Sequence, residues 1–384
     1  MVRRIYFDHS ATTPVDPRVL EEMLPYFCEK FGNASSIHAF GREGKVALEE
    51  ARERVARLIN ASASEIYFTS GGTESDNLAL KGLAFAEENR KHLITSKVEH
   101  HAVLNTCHYL EKQGFKVTYL PVDQYGMVDP EEVQKAITDQ TFLISIMHVN
   151  NEVGTINPIR QIGEIARERG VYFHTDAVQS YGKLPIDVKK MNIDLLSLSG
   201  HKIYGPKGVG ALFIRKGIRI EKLNHGGHHE RNKRAGTENI PGIVGLGKAA
   251  EICQQEMERE AEHLTHLRNA FYQKVSQAVP RVYLNGHPVN RLPGNLNLSF
   301  EGVEGESLLL SLDLKGIAAS SGSACTSGSL EPSHVLSAMG IKPELAQASV
   351  RFTLGRSNTM EDVDYTVKVL PEIVERLRNI SALV

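Results

Sequence analysis

Short apolar, β-branched runs alternate with amphipathic helical stretches through the first two thirds of the chain. The runs predict strands at 65–69, 92–96, 116–121, 142–148, 171–175, 195–199 and 210–214. Between them apolar residues recur at helical spacing. Leu48, Ala51, Val55 and Leu58, for example, fall on one helix face. This alternation predicts an α/β fold: a mostly parallel seven-stranded sheet between layers of helices. Ligands of such sheets sit beyond the C-terminal strand ends, in the loops that open helices.

The pattern changes near residue 244. A long helical stretch runs toward Val279 with Leu264, Leu267, Phe271 and Val275 as its stripe. Its length exceeds a typical globular helix, so it is expected to bridge two domains. Segments 295–300 and 349–353 alternate like half-buried strands. A final helix is expected from about Thr359, capped by the pair Thr359 and Asp362, with a kink at Pro371. These features divide the chain into a large domain, 14–258, and a smaller α+β domain built from 1–13 and 259–384.

Composition narrows the function. Hydrophobic residues make up 41% of 384 and charged residues 23%, enough apolar content for a packed core. The net charge of -2 and the lack of a polybasic tract argue against nucleic acid or an anionic membrane surface as partner. No run of about 18 apolar residues predicts a spanning helix. Cys28, Cys107, Cys253 and Cys325 are far apart and form no CxxC pair. A zinc knuckle or disulfide framework is therefore not expected, and a reducing cytoplasm is. In the His-rich loop 225–239, His228 and His229 are adjacent rather than four apart, so no intrinsic metal site is expected there.

Several polar groups fall where strands run out. In LLSLSGHKIYGPKGVG, Lys202 follows a strand end inside a Gly-rich turn, where its amine could serve Schiff-base chemistry. Ser199 and His201 beside it could donate to a phosphate; a solvated surface turn is the competing reading. Asp176, in YFHTDAVQ, needs a cationic partner such as a protonated pyridine nitrogen, or else caps a helix. Gln179 could bond a ring oxygen. In FTSGGTESDN, Gly72 and Thr73 open a helix suited to phosphate, while Thr73 and Asp76 also fit a capping box.

His100 ends another strand and could stack on a ring and shuttle protons. His101 should point to the opposite face, as neighbours on a strand do. Asn150 or Asn151 could bond cofactor or substrate, and Arg351 in SVRFTLGR could grip a carboxylate or join an ordinary ion pair. Cys325 in SSGSACTSGSL has small polar neighbours, unlike a structural core cysteine, and reads as a nucleophile.

The segments GGTESDN, EHHAVL, HVNNEVGT, HTDAVQ, SGHKIYGPKGVG, RAGTEN, SSGSACTSGS and VRFTLGR, in this order and approximate spacing, resemble the cysteine desulfurases. These are pyridoxal phosphate (PLP) enzymes of the class V aminotransferase group, fold type I. RAGTEN and SSGSACTSGSLEPSHVL are most similar to the nitrogen-fixation-type branch. The opening YFDHSATTP has His9 where members often have Asn, and Gly72 stands where many have alanine.

The resemblance implies Lys202 as the Schiff-base lysine, Asp176 against the pyridine nitrogen and Gln179 against the ring oxygen. It places His100 on the ring and gives Gly72, Thr73, Ser199 and His201 to the phosphate. Thr237 would reach the neighbouring subunit's cofactor in a homodimer. Asn151 and Arg351 would bind L-cysteine, with Asn151 also touching the cofactor. Cys325 would form the persulfide and hand sulfur to an iron–sulfur scaffold protein, where it could also ligate a transient cluster. The alternatives are a selenocysteine lyase, another PLP-dependent transferase such as a transaminase, or a non-catalytic sulfur-carrier partner.

Overall fold

A computed structural model describes residues 4–321 and 332–380. Twelve strands are present among them: β1 (Ile5–Tyr6), β2 (Ile66–Thr69), β3 (His92–Ser96), β4 (Lys116–Leu120), β5 (Thr141–Ser145), β6 (Tyr172–Asp176), β7 (Leu195–Ser199), β8 (Gly210–Ile214), β9 (Val282–Asn285), β10 (Asn295–Phe300), β11 (Ile317–Ala318) and β12 (Ser349–Thr353). Seven form one sheet in the order β2-β8-β7-β6-β5-β3-β4. The β7-β6-β5-β3-β4 pairs are parallel, and β8 runs antiparallel to both β7 and β2. Two reversals restore direction, so β2 ends at the same edge as β3, β5, β6 and β7.

Side-chain alternation explains the helical layers on both faces. Leu93, Leu143, Leu195 and Leu212 join one core, with Leu80 and Leu83 of the helix Gly72–Ala86 and Val103 and Cys107 of the helix His101–Lys112. Ile94, Ile144, Leu196 and Phe213, each one residue on, join the opposite core with Leu48, Ala51 and Val55 of the helix Ala39–Arg57.

The expected bridging helix is Ile240–Ala278. Its first half (Ile243, Leu246, Ala250) packs in a sheet core, and its second half (Leu264, Leu267, Phe271, Val275) packs in a separate core. That second core gathers Phe7, Leu298, Phe352 and Leu370 around the antiparallel sheet β12-β10-β9 and the parallel pair β1-β11.

The structure departs from sequence expectation at the end of β5. The strand expected over 142–148 stops at Ser145. Beyond it the Met147 N–H is claimed by both carboxylate oxygens of Glu99, at 3.1 and 3.0 Å. The last helix, Met360–Ile380, continues through Pro371, held by Leu370, Ile373, Val374 and Leu377 in the second core. Its expected cap does form: Thr359 N donates to Asp362 Oδ2 at 3.1 Å and Asp362 N to Thr359 Oγ1 at 3.4 Å.

Candidate active site

The shared edge of β2, β3, β5, β6 and β7 opens on a cavity of about 440 Å³. Gly72, Thr73, His100, Asn151, Asp176, Gln179, Ser199, His201, Lys202 and Arg351 all line it. Thr237 does not; it is exposed on the loop before the helix Ile240–Ala278. Cys325 lies outside the described residues. The chain on either side of its segment is held at the cavity. Ser320 pairs with Arg351 through backbone hydrogen bonds of 3.2 and 2.7 Å, and His334 lines the wall.

Asp176 is the last residue of β6 and is buried. Its Oδ1 accepts from Val178 N at 2.9 Å, a local turn rather than the cap of a helix. Burial raises its carboxyl to about 6, while the Val178 N–H and the charge of Lys202 pull the other way. A cation in the cavity would find there a buried acid that only one N–H donor and the charge of Lys202 offset.

Lys202 ends the short 3₁₀ turn Gly200–Lys202, and its ammonium donates to the Ser10 carbonyl and, at 2.8 Å, to the Ala11 carbonyl. The Ser10 carbonyl also accepts from Gln179 Nε2 at 3.0 Å, and Gln179 Oε1 is buried without a hydrogen-bond partner.

His100 caps the helix His101–Lys112: Ala102 N donates to its Nδ1 at 3.1 Å. The neutral ring therefore carries its proton on Nε2. Burial, then the charges of Lys202, His101 and His334, lower it to about 4, so it is neutral at pH 7. Because the strand ended at Ser96, the strand rule does not apply to the next residue. His101 lines the same cavity, against expectation, with its ring 4.8 Å from that of His334.

The capping box expected between Thr73 and Asp76 is also absent. Gly71 is the N-cap, and Glu74 instead reaches back to Ser70 N at 2.8 Å. Asp76 turns inward, buried beside Asp176 and 3.7 Å from His174 Nε2. Its pKa is raised by burial and by Asp176.

Arg351, in β12, has both an ion pair and a vacancy for more. Its guanidinium donates to Asp8 Oδ1 and to the Asn151 carbonyl, each at 2.9 Å, while its buried Nε has no acceptor. Asp8, Glu152 and His334 were not singled out in the sequence. Their signal was present: Asp8, Glu152 and His334 lie within the motifs YFDHSATTP, HVNNEVGT and EPSHVL.

The family model for aminotransferase class V matches residues 5–366. A cysteine desulfurase IscS of Dictyoglomus turgidum is 59% identical over 99% of this chain and 97% of its own length. The chain belongs to the class V aminotransferase family, among the cysteine desulfurases. Another member, from Methanosarcina thermophila, is also 59% identical over 99% of this chain and 94% of its own length. Among solved structures, a NifS-like protein superposes with a TM-score of 0.92 at 42% identity, covering 98% of this chain and 100% of that one. A structure described as SspA in complex with cysteine gives 0.83 at 42% identity, over 92% of this chain and 100% of that one. The family and the fold anticipated from the sequence motifs are thus both found. Among the described residues no group of three or more metal-ligating side chains occurs, and no helix is long and apolar enough to cross a membrane.

Proposed function

We propose that this cysteine desulfurase holds pyridoxal phosphate in the 440 Å³ cavity and converts L-cysteine to L-alanine, with the sulfur passing to Cys325. The observation that carries the reading is the convergence of Lys202, Asp176 and His100 with the helix start at Gly72 on one cavity. The donor set fits the cofactor: a buried acid for its pyridine nitrogen, and Gly72, Thr73, Ser199 and His201 for its phosphate. The orphaned Gln179 Oε1 lies in the same wall. Lys202 is the amine placed to take its aldehyde. When bound, the cofactor supplies an electron sink for charge at the substrate Cα.

The chain's own groups do the rest. Arg351 and Asn151 hold the substrate carboxylate. Lys202, as the amine that lines the cavity, would take the Cα proton. Neutral His100, with its proton on Nε2, would pack against the ring and hold a proton it could give. The Cys325 thiolate attacks the substrate sulfur. An S–S bond forms, the C–S bond breaks, and its electron pair goes to the substrate carbon. A proton then joins that carbon, giving alanine and a persulfide.

The functional unit is a homodimer in a reducing cytoplasm. Leu20, Leu24, Phe27, Phe31, Ile37 and Phe40 expose a run of apolar side chains near the N-terminus, which a second copy would cover. The exposure of Thr237, away from its own cavity, suits a reach into the neighbour's. The persulfide sulfur goes on to an iron–sulfur scaffold protein. In the test, purified wild type absorbs visible light through its bound cofactor, and Lys202→Ala loses that band while keeping its circular dichroism. A Lys202→Ala variant with normal colour and turnover overturns the assignment.

A further inference from the structure

The phosphate end of the cavity has a second opening. A smaller cavity of about 350 Å³ on the outer side of the Gly71–Gly72 turn shares Gly72, Thr73, Ser199 and His201 with the main one. Whatever occupies that partition is reached from both sides. Lys207 and Glu74 line only the outer cavity.

A phosphate monoester brings a charge of about -1.5 to -2. The shared groups answer it with neutral donors: backbone N–H groups of the helix start, two hydroxyls and an imidazole. Burial, then the charges of Lys202, Lys207 and Lys183, lower His201 to about 4, so it binds as a neutral ring. Among residues lining either cavity, the lysines and arginines are Lys202, Lys207 and Arg351. Lys202 is committed to the aldehyde, and Arg351 faces Asp8 at the substrate end.

Glu74 would oppose an anion here, since it stands in the first turn of the phosphate-binding helix. It is occupied. Arg234 Nε donates to Glu74 Oε1 at 2.7 Å, and Ser70 N to Oε2 at 2.8 Å. The pair removes most of its field and leaves the Lys207 ammonium as the formal charge on that side.

We infer that Lys207 is a phosphate-binding residue, supplying through the outer opening the positive charge that the inner donors lack. This rests on the reading that the cavity takes pyridoxal phosphate. Lys207 is exposed at a loop, so its effect is modest and falls with salt.

The test compares two aldehydes that differ by the phosphate. Apoenzyme is titrated with pyridoxal phosphate and with pyridoxal, and binding is read from visible absorption. Lys207→Gln should weaken pyridoxal phosphate about threefold and leave pyridoxal unchanged. Lys207→Arg should keep the wild-type ratio. Equal affinity of wild type and Lys207→Gln for pyridoxal phosphate, or equal losses for both aldehydes, overturns the inference. If wild-type apoenzyme binds neither aldehyde, the cofactor reading itself fails, an outcome distinct from these.

Discussion

Gly72 stands at the first position of the helix Gly72–Ala86 and lines the cavity. A Cβ added there would lie 2.6 Å from Val178 Cγ2, against at least 3.4 Å for an ordinary contact. Val178 would have to yield about 0.8 Å, and as a β-branched residue it has few rotamers to yield with. Its backbone N–H also holds the Asp176 carboxylate at 2.9 Å, so a shift reaches that acid. Overpacking of this kind costs about 1–3 kcal/mol, of which the better helix propensity of alanine returns at most about 1 kcal/mol. Gly72→Ala should therefore lose about 1–2 kcal/mol in urea unfolding of the apoenzyme and weaken cofactor binding about tenfold. Val178→Ala in the same chain should restore both. Unchanged stability and affinity in Gly72→Ala, or no rescue by the second substitution, would refute the steric argument.

Two further outcomes follow from buried charges. Arg52 and Glu230 form a two-pronged pair at 2.7 and 2.9 Å, with 3% and 2% of their side chains exposed, and Glu230 also accepts from Phe68 N at 2.8 Å. Glu230→Ala removes the buried partner of the guanidinium and leaves it the Ile66 carbonyl and the more exposed Glu49, so it should cost about 3 kcal/mol in urea unfolding, whereas Arg52→Met with Glu230→Leu should recover most of it; a loss below about 1 kcal/mol for the single variant contradicts this. Glu99 is raised from 4.5 to about 8 by burial. Its folded pKa exceeds the unfolded one, so its contribution is full below pH 4.5 and is lost as pH rises to about 8. Relative to Glu99→Gln, wild type should then lose about 1.4 kcal/mol per pH unit across that window; a flat difference shows that Glu99 ionises normally.

What the sequence revealed and what it hid have physical causes. The sheet was legible because β3, β5, β7 and β8 are buried on both faces and read as short runs dominated by Leu, Ile and Phe, broken only by small polar residues and one His. The polar residues at or just past the ends of β2, β3, β5, β6 and β7 had to line one edge, which is why nine of the ten expected site residues share one cavity; the tenth, Arg351, comes to it from β12. Backbone details two to four residues beyond a strand were not legible. His100 caps a helix instead of extending β3, and this brings His101 to the same cavity. Gly71 takes the N-cap, and this frees Asp76 to turn toward Asp176. Asp8 and Glu152 could be placed only through long-range contacts: Asp8 through Arg351, more than 300 residues away, and Glu152 through Ser333. Thr237 had a role by resemblance that a single chain leaves exposed on its surface.

The central claim is that sulfur leaves L-cysteine for Cys325. Holoenzyme is mixed with L-cysteine without reductant, and the peptide carrying Cys325 is weighed by mass spectrometry while alanine is counted. The account predicts one added sulfur atom on Cys325 for each first-turnover alanine, and neither product from Cys325→Ala. Alanine formed at the wild-type rate by Cys325→Ala, or sulfur carried on Cys28, Cys107 or Cys253 instead, would contradict it.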